Sequence, residues 1–206
     1  MNEPKYPIQI VSDNKEKGLS FKENFKRYNK AKASGFYLEC LWILYSMLED
    51  RTSAFLYYLG FTSSKNRNTV TGSKKIRVQV RQILNITDSN TQYKFDKISG
   101  KLSRIAQIIA WGVAVNDDLT DYQKSIKNIV EVVSANQDFL NALEYLNDEW
   151  RDKRNQLMHS LFNKKPENVS LELKSLVEKG YTAARLIDKA VSQAKREKIR
   201  EQFKIR

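Results

Sequence analysis

The chain contains one histidine, His159, which closes the run Trp150-Arg151-Asp152-Lys153-Arg154-Asn155-Gln156-Leu157-Met158-His159. An imidazole transfers protons near neutral pH, and a guanidinium nearby can hold a phosphate and the charge that develops on it. On a helix, Asn155 and His159 fall four residues apart on one face. The Asn155 amide is therefore expected to hydrogen-bond the ring and bias its tautomer or orientation. Arg154, five residues from His159, reaches the ring's edge only through its long, flexible stem. This set suits phosphodiester chemistry on RNA, whose 2′-hydroxyl is a built-in nucleophile, so no metal is required in principle. The competing reading of His159 is a partly buried structural histidine among Leu157, Met158 and Leu161. For Arg154 it is an intrahelical ion pair with Glu149 or Asp152.

Other chemistries find less support. Cys40 is the sole cysteine, so no intrachain disulfide forms and a His/Cys metal site is unattractive. Its neighbours in Phe36-Tyr37-Leu38-Glu39-Cys40-Leu41-Trp42 are largely apolar, which predicts a buried free thiol rather than a nucleophile. A Ser-His-Asp triad is compatible with composition, but no nucleophile-elbow motif occurs.

The elements that must position these residues read as helices. Residues 1–19 hold Pro4, Pro7 and Gly18 with little periodicity and are expected to form an irregular N-terminal arm. Ser20 and Glu23 have capping-box spacing for a helix to about Ala33. From Gly35 to Leu59, Leu38, Leu41, Trp42, Tyr45, Leu48, Phe55, Leu56 and Leu59 recur at three- and four-residue steps, and Gly60 follows as a stop. A polar loop is expected over 61–75. Residues 74–86 carry both strand-like alternation and helical spacing, and helix is favoured because no partner strand stands nearby. After a polar connection at 88–95, helices are expected over 99–115 and 121–133, and from a cap at Ser134 or Asn136 to about Phe162. Asn116-Asp117-Asp118 separates the first two. Pro166 is expected to end that region, with a last helix starting near Ser170 and continuing past Lys189 into a tail that frays beyond the core. Residues 20–206 thus read as one all-α domain, with no internal repeat.

Charge adds a statement about partners. Lys and Arg number 36 against 24 Asp and Glu, a formal net charge of +12. Such an excess suits RNA or an anionic membrane surface, or simply keeps a protein soluble. The stretch 61–87 carries Lys65, Arg67, Lys74, Lys75, Arg77 and Arg81 with no acidic residue. It is a candidate RNA-binding surface, against a solvated charged face as the alternative. Tyr57, Tyr58 and Tyr93 are placed either to stack on unpaired bases or to pack. The tail from Lys189 to Arg206 holds seven basic and two acidic residues. With no apolar leader over the first thirteen residues and no run of about 18 apolar residues, a cytoplasmic protein without membrane segments is expected.

Arg154-Asn155-Gln156-Leu157-Met158-His159 resembles the R-x4-6-H signature of HEPN domains, in the form with a polar residue after the arginine. The resemblance implies a bundle of about four or five helices with the motif near the later ones. It also implies a symmetric homodimer that brings two motifs together across its axis, with catalytic Arg154, His159 and Asn155 and no cofactor. Many such ribonucleases act as toxins or in antiviral defence, so an antitoxin or defence-system partner belongs to the same expectation. Some families place an acidic residue on an early helix near the Arg/His pair. Glu39 and Asp50, eleven residues apart and on one face of a straight helix, are candidates, with structurally paired carboxylates as the alternative. Arg151 is a candidate for substrate binding or an ordinary surface arginine. The leading expectation is a metal-independent endoribonuclease. A non-catalytic HEPN-like module binding RNA, nucleotide or protein, and a structural helical protein with a coincidental motif, are the rivals.

Overall fold

Helices that are apolar on one stripe bury that stripe only against one another, and the chain forms an all-α bundle accordingly. The computed structural model describes residues 14–63, 69–86, 95, 97–116, 118–161 and 163–204. Among them run α1 (Asn14–Ala33), α2 (Tyr37–Tyr58), α3 (Lys74–Ile83), α4 (Ile98–Ala114), α5 (Asp121–Ser134), α6 (Gln137–Glu144), α7 (Arg151–His159) and α8 (Pro166–Lys204). A π-helical turn, Tyr145–Trp150, joins α6 to α7, so the three make one continuous rod. No strand occurs among the described residues, and none of their helices is long and apolar enough to cross a membrane.

Local chemistry explains most boundaries. Ser73 caps α3 by accepting from the Ile76 amide, and Asn136 caps α6 by accepting from that of Phe139. Thr120 and Gln123 form a reciprocal capping box at α5. After α2, Gly60 takes φ +82°, the left-handed conformation a helix stop requires and glycine adopts without strain. Two expectations shift. Helix α1 already includes residues 14–19, so only residues 1–13 of the expected arm lie outside the described residues, and Ser20 is helix interior rather than a cap. Gly18 sits within α1 because a single glycine costs a helix only about 1 kcal/mol. Likewise Pro166 begins α8 instead of preceding it, since its missing N–H is one of the amides a first turn leaves unpaired anyway. Helix α8 then continues to Lys204.

Helices α2 and α8 are the central pair. Leu44, Leu48, Phe55 and Leu56 of α2 and Val177, Ile187, Val191 and Ala194 of α8 are all buried. Around them pack α1 on α2, α4 and α5 on each other, and α6 with the π turn on α8. Trp150 anchors the rod. Its ring is buried, and Nε1 donates to the Leu176 carbonyl of α8 at 3.1 Å. Gly180 makes room for it, because a Cβ there would overlap that Nε1. One charged group is also interior. Lys101 of α4 is 1% exposed, pairs with Glu49 and donates to Ser53 Oγ at 2.9 Å, both on α2. Cys40 is the buried thiol expected, its Sγ facing the Tyr28 carbonyl at 3.6 Å. Burial pushes its pKa up, away from thiolate reactivity.

Candidate functional site

Four residues after the buried Trp150, α7 turns Arg154 toward α2. The guanidinium carbon lies 4.6 Å from the centroid of the Tyr45 ring, a cation–π contact. Its Nε and Nη2 donate to Asn155 Oδ1 at 3.2 and 2.5 Å. The ion pairs of the competing reading are absent among the described residues, because Glu149 pairs with Lys153 and Asp152 with Arg151. Arg154 therefore sits between a neutral amide and an aromatic face. His159, the last residue of α7, is exposed rather than packed among Leu157, Met158 and Leu161. No hydrogen bond joins Asn155 to the ring among the described residues. The Asn155 oxygen is given to Arg154 instead, which corrects the expected tautomer contact.

Arg154, Asn155 and His159 open with Met158 onto one groove of about 330 Å³, whose far wall is Leu41, Trp42 and Tyr45 of α2. The walls are unusually apolar for exposed surface. Trp42 is 62% and Met158 38% exposed. Sequence periodicity puts Trp42 and Tyr45 on the apolar stripe of α2; in the fold they border the groove. The signal that could have separated them from the core was their bulk beside Leu41, at the edge of a stripe already filled by leucines.

The other candidates fall elsewhere. Glu39 binds Arg27 at 2.5 Å, and Asp50 pairs with Arg51 at 3.0 Å. Neither lines the groove, nor does Arg151, which pairs with Asp152 at 2.9 Å. Glu39 and Asp50 are paired as their alternative reading described, and Arg151 is paired on the surface of α7. Lys65, Arg67 and Tyr93 lie outside the described residues. Lys74, Lys75 and Arg77 are exposed along α3, with Arg81 half-buried. Helix α3 packs on α4, and none of these four side chains lines the Arg154–His159 groove. Among the described residues, no group of three His, Cys, Asp or Glu side chains converges as metal ligands do.

A cation with no carboxylate partner among the described residues, an accessible imidazole and an apolar rim can together bind a phosphodiester, move its protons and exclude water. Comparison of the chain with protein-family models, with curated proteins and with solved structures finds no match.

Proposed function

We propose that the chain is a HEPN-type, metal-independent endoribonuclease whose active site is composed by two protomers. One observation carries the reading: Arg154 and His159 open onto one groove, Arg154 without an ion pair among the described residues and His159 exposed. Arg154 holds the non-bridging phosphate oxygens in the fork geometry of guanidinium. An imidazole accepts the proton of the RNA 2′-hydroxyl as its oxygen bonds to phosphorus. The bond from phosphorus to the 5′-oxygen breaks, and that oxygen takes a proton from a second imidazole. In a twofold dimer the second imidazole is the partner's copy of the same residue, which explains how a chain with one histidine supplies both acid and base. The upstream product ends in a 2′,3′-cyclic phosphate or, after hydrolysis, a 3′-phosphate. The exposed Trp42 and Met158 beside the groove supply apolar surface for the second protomer. A toxin or antiviral role, with an antitoxin or defence partner, extends the same proposal by analogy.

The test is cleavage of single-stranded RNA by purified wild type and His159→Ala with EDTA present throughout. Cleavage that the substitution reduces by a factor of about 10² or more, the size of a general acid–base contribution, is expected. Equal rates in both would overturn the reading. Absence of cleavage in both, with RNA still bound, would favour a non-catalytic binding module.

A further inference from the structure

The cleft between α1, α2 and the second half of α8 has a volume of about 1070 Å³, several times that of the Arg154–His159 groove, and shares no lining residue with it. Its lining carries Lys22, Lys26, Arg51, Arg185, Lys195 and Lys198 against only Asp50 and Asp188. Six cations and two anions leave a surplus of four positive charges, a third of the chain's net +12. On α8 the lining runs from Arg185 to Ile199, about 21 Å at 1.5 Å per residue. Charge thus follows a track rather than a point.

Aromatic rings interleave with these cations. Arg51 lies over the Phe21 ring at 4.3 Å, Lys198 over Tyr57 at 5.0 Å and Arg185 near Phe25 at 6.0 Å. Tyr57 meets Tyr58 edge to face at 5.2 Å, and all four rings are only half-buried. Not every cation is committed within the protein. Lys26 binds Glu23, Arg51 bridges Asp50 and Asp188, Arg185 reaches Asp188 at 4.0 Å, and Lys198 donates to the Tyr57 carbonyl at 3.0 Å. Lys22 and Lys195 line the cleft without an ion pair among the described residues and are exposed.

From this placement we infer that the α1–α2–α8 cleft is a binding track for single-stranded RNA, separate from the cleavage groove. Cations along the track meet successive phosphates, and the half-buried rings offer faces on which unpaired bases stack. A duplex hides its base faces and gains only the charge. A lipid surface is flat, and would not use rings set inside a cleft. The inference deepens the ribonuclease reading by assigning its substrate a second hold, and it is measured without cleavage.

The experiment uses the full chain carrying His159→Ala, a fluorescein-labelled oligouridylate and EDTA, with anisotropy read across a salt series. Lys22→Glu together with Lys195→Glu is expected to raise Kd by about tenfold or more. The slope of log affinity against log salt should become shallower by about 0.7 for each phosphate no longer neutralised. Lys124→Glu with Lys174→Glu makes the same charge change at exposed sites away from the cleft and should cost far less. Tyr57→Ala is expected to weaken the oligouridylate more than a duplex of equal length. Equal losses in the two charge-reversal pairs, or duplex bound as tightly as single strand, would overturn the inference. So would binding confined to phosphatidylserine vesicles. If wild type fails to cleave while the cleft variants lose RNA, the ribonuclease reading falls and the track stands. If wild type cleaves and the cleft variants bind RNA unaltered, the track falls and the ribonuclease reading stands.

Discussion

Removing the Glu49 carboxylate leaves the Lys101 ammonium 1% exposed with Ser53 as its remaining partner. An uncompensated interior charge is costly, so Glu49→Ala should destabilise the fold by about 3 kcal/mol, the lower end for a broken buried pair because Glu49 is partly solvated. Lys101→Met keeps the volume and removes the charge, and should cost no more than about 1 kcal/mol. Urea unfolding of the two variants checks this. Similar losses would mean that packing, and not charge, governs the site. The same logic applied to Arg154 gives a different answer. Its guanidinium rests on Tyr45 and the Asn155 oxygen without a carboxylate, so it is held in place while its charge stays available to an anion. Glu149 and Asp152, close in sequence, are already taken by Lys153 and Arg151.

At the scale of elements, the approach of the α6–α7 rod to α8 sets where that arginine points. The π turn changes the bond pattern from i→i+4 to i→i+5 just before α7, so it resets the face that Arg154 and His159 present. Trp150 ends this turn and is locked by Leu176 and Gly180. Gly180→Ala drives a methyl into Trp150 Nε1 and to 2.9 Å from a Leu44 methyl. Overpacking of this kind should cost about 1–3 kcal/mol. Trp150→Phe withdraws the indole nitrogen from that clash, so the double variant should be more stable than the sum of the two single losses requires. Thermal unfolding of all four proteins completes the cycle, and strict additivity would show that the two side chains do not meet.

For the whole molecule, the question is what covers Trp42. A ring 62% exposed beside the Arg154–His159 groove is tolerable alone, but two apposed copies would bury it. On the proposed dimeric reading, Trp42→Glu should give a folded monomer by sedimentation, with cleavage reduced at least as strongly as by His159→Ala. A dimer that survives Trp42→Glu with full activity would place the interface elsewhere. The net charge of +12 acts at this scale too. Part of it lies in the α1–α2–α8 cleft and along α3, which suits steering an extended anion.

What the sequence determined by itself is local. Helical spacing of Leu38 to Leu59, the Gly60 stop, the cap at Asn136 and the all-α class depend on neighbours within a turn or two, whose chemistry is legible in order along the chain. The ambiguous 74–86 segment resolved as helix α3 for the same reason. So did the candidate motif: Arg154, Asn155 and His159 are close because α7 makes them so. Where boundaries went astray, at residues 14–19 and at Pro166, a glycine and a proline were read as breakers although a helix interior and a first turn respectively tolerate them. Tertiary structure alone decided the rest. The partners that distinguish a catalytic from a structural role are remote: Tyr45 comes to Arg154 only when α2 packs against the rod. Glu39 and Asp50 are drawn off to Arg27 and Arg51. The basic cleft likewise gathers residues from α1, α2 and α8. No periodicity encodes such meetings, because they depend on the angles at which helices pack and not on spacing within any one of them.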